Sequence, residues 1–506
     1  MTETWEWKPV KPPAIPDAFY DIREFGAIEG GEHSCRQAIQ AAIDRAWQEG
    51  GGHVVIPPGI WLTGPIELKT RIDLHLEENS LLLFHKTKED YPLLVTEYEG
   101  RRRIRATSPV WARDASHISI TGGGIIDGSG EKWRMAKEFK FSPADWQRLT
   151  MKSRHTLSMT KEGSVWFPSR TAYEGFLKGE EEICGAAPVG AGEESRAMHE
   201  REVQQLDNEK QALGRAAAFY DFYRPVMVSL IRCRHVLIEG VTLQNSPAWN
   251  LHPLYCEDVI IRNARIRNDP WAQNGDGLDL ESCRRVEVSH VEFDVGDDAI
   301  CMKSGKNAPA RSIDFPTEQV YIHDCRVLRA HGGFSVGSEM SRGVRNILVE
   351  RCTFVGTDTG IRFKTALGRG GVVEDITIRD IQMLRIRDEA IVMTMGYVLS
   401  QAQSSFVGEG ICTGPDDIPE FRRIHMERIR CLDAGTAIRM EGIREQKIHD
   451  ISFQDVYLQA QDPGKLIYVE NISFASVRIC DTARKKVYTD HEIFGALQEL
   501  LLFEKP

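Results

Sequence analysis

Short runs of alternating apolar and polar residues recur along most of this chain. Each has an Ile or Val anchor between polar positions and a second apolar residue two places later. They run His117-Ile118-Ser119-Ile120, His235-Val236-Leu237-Ile238, Asp258-Val259-Ile260-Ile261, Arg285-Val286-Glu287-Val288 and Gln319-Val320-Tyr321-Ile322. They continue as Asn346-Ile347-Leu348-Val349, Asp375-Ile376-Thr377-Ile378, Arg423-Ile424-His425-Met426, Asp450-Ile451-Ser452-Phe453 and Asn471-Ile472-Ser473-Phe474. From Val236 onward the anchors are spaced 23, 27, 34, 27, 29, 48, 27 and 21 residues apart. Period-two alternation predicts strands with one buried face. Recurrence every roughly 20 to 35 residues predicts stacked coils. Nothing between the strands is regular enough for βαβ units, and the Leu-x-x-Leu-x-Leu spacing of leucine-rich repeats is absent. The expectation is an all-β chain: a right-handed parallel β-helix, or solenoid.

One helical pattern precedes the coils. Ala38, Ile39, Ala42, Ile43, Ala46 and Trp47 form an apolar stripe. Ser34 is the expected N-cap, with Gln37 completing a capping box, and Gly50-Gly51-Gly52 stops the helix. An amphipathic helix there would cap the open end of the solenoid, which is otherwise a sheet edge. The repeat then vanishes from about Glu131 to Arg224, between anchors Ile118 and Val236. That segment is charged, with a Gly/Ala/Pro-rich patch at Gly185 to Gly192 and a helical-looking stretch from Glu193 to Tyr223. It reads as a partly helical insertion whose aromatic content (Phe139, Phe141, Trp146, Trp166, Phe167, Tyr173) gives a small lobe something to bury. Its role is either a subunit contact or surface cover, or a wall closing one end of a cleft. The division is therefore residues 1–130 for the cap and first coils, 131–224 for the insertion, and 225–506 for the main solenoid.

Length and charge narrow the function. At 506 residues a length rule suggests several domains, but a solenoid grows along one axis without thickening its core. The formal net charge of −11 disfavours nucleic acid as a partner. An anionic substrate would need local positive charge. No stretch of apolar residues is long enough to span a membrane, and the N-terminal text lacks a basic and apolar leader, so the expected location is cytoplasmic. A homo-oligomer is compatible with all of this. Eleven cysteines without a Cys-x-x-Cys pair speak against a zinc site or a full disulfide framework. Cys233, Cys256 and Cys283 each lie three residues before an anchor, and Cys325 and Cys352 five after one. Such positions stack as reduced, small apolar rungs.

Five short motifs concentrate the chemistry: Asn274-Gly275-Asp276, Gly296-Asp297-Asp298, Ala330-His331-Gly332, Gly337-Ser338-Glu339 and Arg362-Phe363-Lys364. Asp276, Asp297 and His331 are about one coil apart, so their side chains should meet on neighbouring strands about 5 Å apart. Clustered carboxylates raise at least one pKa, which is what an acid working near neutral pH requires. Asp297 and Asp298 would point to opposite faces of a regular strand, so both can serve one cleft only if the backbone turns there. Arg362 and Lys364 alternate by two and share a face. The run Arg101-Arg102-Arg103-Ile104-Arg105 is either a solvated loop or a source of further cationic subsites. Trp249 reads as packing, and Glu339 as lining the path or pairing with Arg342 or Lys303.

With the opening text Phe25-Gly26-Ala27, Gly51-Gly52-His53-Val54-Val55-Ile56-Pro57-Pro58-Gly59 and Leu62-Thr63-Gly64-Pro65-Ile66, these motifs resemble the polygalacturonase family of glycoside hydrolases, family 28. Asn274-Gly275-Asp276-Gly277-Leu278-Asp279, Gly296-Asp297-Asp298-Ala299-Ile300 and Lys303-Ser304-Gly305 carry the likeness, which runs from about Phe19 to Ile479 outside the insertion. Three positions depart from the family pattern: Gly275, Ala330 and Phe363 stand where Thr, Gly and Ile are usual. The chemically active side chains are retained. The resemblance implies hydrolysis with inversion and no metal or other cofactor. It makes Asp297 the acid and Asp276 and Asp298 the bases that activate water. It places His331 at the cleft beside a carboxylate or sugar hydroxyl, and Arg362 and Lys364 on the uronate carboxylate. Asn274 orients sugar or water. The expected substrate is an acidic oligosaccharide of α-linked galacturonic acid, attacked from its end. Cleavage of galacturonosyl-rhamnose linkages is the alternative within the class. A calcium-dependent pectate lyase and a non-catalytic carbohydrate-binding β-helix, as in phage tailspikes, are the alternatives outside it.

Overall fold

The computed structural model describes residues 6–151, 156–159, 163–184, 208–397 and 414–498. The Gly185 to Gly192 patch, and the predicted helical stretch as far as residue 207, lie outside them. A single sheet of 32 strands winds through the molecule, almost all of it in parallel pairs. Coils in the middle of the stack contribute three strands each. In one turn these are Leu278–Glu281, Arg284–Ser289 and Glu292–Asp294; the next has Ile300–Lys303, Thr317–His323 and Arg326–Leu328.

The sequence anchors are the register of this sheet. Ile118, Val236, Val259, Val286, Val320, Ile347, Ile376, Ile424, Ile451 and Ile472 pair one to the next along one face. All but Ile472 are at most 1% exposed. Ile472, near the C-terminal end, is only partly buried. The residue before each anchor, from His117 to Asn471, has φ between +50° and +58°. That left-handed corner is costly for a residue with a Cβ. Ion pairs link some successive corners, as in Arg285 on Asp258 (2.7 Å) and Arg423 on Asp375 (2.8 Å). The cysteine rungs also stack as expected: the amides after Cys256 and Cys283 bond the carbonyls of Cys233 and Cys256. The nine cysteines whose side chains are described are free thiols, eight of them buried.

Helix α1 (Arg36–Gln48) covers the N-terminal end with Ala38, Ile39, Ala42, Ile43 and Ala46 buried. Two details of the helix differ from the sequence reading. Cys35, not Ser34, is the N-cap and makes no side-chain cap, because Ser34 is drawn into a bridge with Leu62. Trp47 is 48% exposed and lies under Lys69 instead of in the stripe.

The insertion forms a three-stranded antiparallel sheet (Ala136–Lys137, Thr156–Met159, Gly163–Trp166) with helices α2 (Pro143–Thr150) and α3 (Arg170–Cys184). A further helix at 208–216 and a tight turn at Ala217–Phe222 fall in the described part of the predicted helical stretch. Trp166 and Phe167 are buried as expected, whereas Phe139 is 60% exposed. A second departure from the solenoid is the antiparallel hairpin Leu93–Tyr98/Arg101–Ala106. Its alternation is masked by the arginine run, which is a strand and not a solvated loop. Among the described residues, no helix is long and apolar enough to cross a membrane.

Candidate active site

The first strand of each coil carries the site. Leu278-Asp279-Leu280-Glu281, Ile300-Cys301-Met302-Lys303, Phe334-Ser335-Val336-Gly337 and Ile361-Arg362-Phe363-Lys364 are in register. Alternate residues (Leu278, Leu280, Ile300, Met302, Phe334, Val336, Ile361, Phe363) fill the core. The intervening polar residues therefore line up outside, and the hairpin and insertion fold over them. The result is a cleft of about 750 Å³. Its lining includes Tyr98, Glu99, Arg103 and Arg105 from the hairpin, and Lys137, Phe139, Lys140, Glu180, Phe222 and Arg224 from the insertion. Ten Lys and Arg line it against six Asp and Glu. That reverses the balance of the whole chain, 63 to 74, and supplies the local positive charge an anionic substrate requires.

The catalytic candidates come together just before the strands. Gly277 N donates to the Asp298 carbonyl (2.9 Å), and His331 N to the Asp297 carbonyl (2.9 Å), so Asp276, Asp297–Asp298 and His331 occupy three successive coils. Extending the Leu278–Ile300 register back two residues sets Asp276 level with Asp298 instead of Asp297. Asp297 sits in a bend ahead of Ile300–Lys303. This is the turn that lets adjacent aspartates serve one site. One oxygen from each of Asp276, Asp297 and Asp298 lies within 4.8 Å of the others. Asp276 and Asp298 are buried, and each has an oxygen without a hydrogen-bond partner. Asp297 is more open to the cleft.

The carboxyls have different surroundings. Burial, Asp279 and Asp297 push Asp276 well above the usual carboxylate range. Burial would do the same to Asp298, but Lys364, Arg362 and His331 outweigh it and hold Asp298 below that range. Lys364 Nζ donates to Asp298 Oδ2 at 2.7 Å, and Arg362 lies 3.5 Å from Asp298 Oδ1. Lys364 reaches the cleft, while Arg362 stands behind it near the Tyr397 ring. His331 Nδ1 pairs with Asp358 at 2.9 Å. Asn274 lines the cleft with φ +53° and accepts from Arg224 at 2.8 Å. The three aspartates form the sort of acidic group that could hold a cation. The ammonium and guanidinium against Asp298 already neutralise it, so the site fits a cation poorly.

The roles of Asp279 and Tyr98 escaped the sequence reading, whereas the pairing of Glu339 with Lys303 is one it offered. Asp279, fully buried beside the triad, is pushed by burial up to about 8. Lys303 lies 3.4 Å from Asp279 and 3.2 Å from Glu339, so two carboxyls compete for one ammonium. Burial would raise Glu339 too, yet Lys303, Arg369 and Lys306 hold it low. Glu339 is therefore the ionic partner and Asp279 the protonated one. Trp249 stacks on Tyr98 (4.3 Å between centroids), and Lys303 Nζ lies over its ring at 4.1 Å. Alternation along their strands puts Asp279 and Lys303 on the outward face. Nothing in the sequence said that this face would be covered by the hairpin and insertion.

Residues 221–478, just over half of the chain, match the family Glycosyl hydrolases family 28. A probable polygalacturonase of Vitis vinifera is 25% identical over 455 residues, 88% of this chain and 75% of that protein. An exo-poly-alpha-D-galacturonosidase of Dickeya chrysanthemi is 25% identical over 392 residues; the match spans 76% of this chain but only 58% of that protein's length. The crystal structure of a hyperthermoactive exopolygalacturonase from Thermotoga maritima superposes with a TM-score of 0.70 at 28% identity, covering 93% of each chain. With the anchors, the aspartate turns and the cationic strand all in place on the coils, the chain belongs to glycosyl hydrolases family 28.

Proposed function

We propose that this protein hydrolyses α-linked galacturonic acid residues in pectin-derived oligosaccharides, releasing them from a chain end with inversion. The observation that carries the reading is the three-aspartate group, with Lys364 and Arg362 on Asp298, in a cleft whose lining is cationic. Asp297, the most open of the three, protonates the departing glycosidic oxygen. Asp298, held ionised by Lys364 and Arg362, takes the proton of the attacking water, and Asp276 helps hold that water. The oxygens are closer than the roughly 6.5–9.5 Å usual between acid and base in inverting enzymes. Holding the water between the two carboxyls of Asp276 and Asp298 lets it sit beside the sugar. His331, held by Asp358, orients a hydroxyl at the cleft. The cations, Lys364 foremost, bind uronate carboxylates.

End-wise attack is supported by the walls. The hairpin and the insertion both leave the solenoid on coils N-terminal to the catalytic ones, and both contribute to the cleft lining. In this reading they close the non-reducing side. The test is a product time course on defined oligogalacturonides and rhamnogalacturonan fragments, with and without chelator. Monomer from the outset, unaffected by chelator, supports the reading. Mixed oligomers at early times would reject end-wise attack, and unsaturated, ultraviolet-absorbing product restored by calcium would make the protein a lyase.

A further inference from the structure

The insertion does more than line the cleft. Arg224, its last residue, is a half-buried fork on the cleft wall, beside the first catalytic turn. One nitrogen donates to the Gln273 carbonyl (2.8 Å) and to the Pro247 carbonyl (3.3 Å), and the other to Asn274 Oδ1 (2.8 Å). Burial lowers its pKa to about 10, so it stays charged at neutral pH. A guanidinium only donates, so the amide atom facing it must be the oxygen. The Asn274 N–H₂ is thereby turned away from Arg224, and Asn274 lines the cleft two residues before Asp276. The same fork braces a backbone that has a positive φ at Asn274. A second insertion residue does the equivalent for the other catalytic turn: Lys140 Nζ donates to the Gly296 carbonyl at 2.9 Å, next to Asp297.

We infer that Arg224 is a positioning residue for hydrolysis, acting through Asn274 by fixing its amide so that an N–H donor faces the substrate beside Asp276. The inference rests on the hydrolase reading above. It makes the insertion part of the apparatus that shapes the site as well as its wall.

A double-mutant cycle tests it. Turnover of digalacturonate is measured for the wild type, Arg224→Met, Asn274→Ala and the double variant. A misplaced group near the reacting atoms costs on the order of a hundredfold, so each single change should lower kcat about that much with little change in KM. If Arg224 acts through Asn274, the double variant should match Asn274→Ala within about twofold. Arg224→Lys keeps the charge but cannot fork, and should lose kcat as Arg224→Met does; it carries the cycle if the Met variant does not fold. Multiplying effects, or an Arg224→Lys variant with normal kcat, would overturn the inference while leaving the hydrolase reading standing. A wild type inactive on every galacturonide would sink both together.

Discussion

Lys364 Nζ lies 2.7 Å from Asp298 Oδ2, with both side chains buried. The cation best placed to meet a uronate is thus already the partner of a catalytic carboxylate, and it serves two anions once substrate arrives. Losing it should do more than weaken binding. Lys364→Ala is expected to raise KM and to lower kcat by about a hundredfold or more, within the range for disabling acid–base chemistry. Lys364 also helps hold Asp298 low. Removing it lets burial raise Asp298, so the acid limb of kcat/KM should move to higher pH. A variant with altered KM alone and an unshifted pH profile would confine Lys364 to substrate binding.

Asp297→Asn keeps the shape of the acid and removes its proton. Turnover should fall by about two to four orders of magnitude, with an unchanged melting temperature. The carboxylate accepts a hydrogen bond only from the neighbouring Asp298 amide (3.1 Å) among those described, so the fold depends on it little. Near-normal turnover would remove Asp297 from the mechanism.

Asp279 ties the site to stability. Burial raises it from 3.8 to about 8 against the pull of Lys303. A carboxyl that holds its proton more tightly in the folded state stabilises below its unfolded pKa. That contribution is lost as pH rises through the folded value. Across about pH 4 to 8 the wild type should therefore lose melting temperature relative to Asp279→Asn, which has no proton to release. Parallel curves from thermal melts across that range would show that Asp279 ionises normally.

The repeat, the cap and the aspartate turns were legible because a solenoid writes its register into the sequence. Val259 pairs with Val286 because each holds the same place in the same strand of its coil, and one-coil spacing brings Asp276, Asp297 and His331 together. Contacts across the groove were not legible. Tyr98 stacks on Trp249 and Arg224 grips Asn274. Hairpin and insertion fall outside the repeat, so no periodicity relates their residues to the floor. The Ser34 cap failed for a local reason: strand bridging to Leu62 competed for the same backbone and won.

The insertion offers a prediction about product pattern. Replacing its central part, residues 141–216, with a short Gly-Ser linker removes α2 and α3 but keeps Lys140 and Arg224. If the lobe closes the non-reducing side, early products should shift from monomer toward mixed oligomers, read by chromatography of a tetragalacturonate digest. Unchanged monomer release from a well-folded variant would assign the lobe to assembly or surface cover.

The central claim is inverting hydrolysis of a galacturonide at the Asp276–Asp297–Asp298 group, and proton NMR of the first turnovers on trigalacturonate tests it most directly. The account predicts that the newly formed reducing end is β-anomeric before mutarotation, with no unsaturated sugar. An α-anomeric first product, which the short spacing of the carboxylates would suggest if taken alone, or a 4,5-unsaturated product would contradict it.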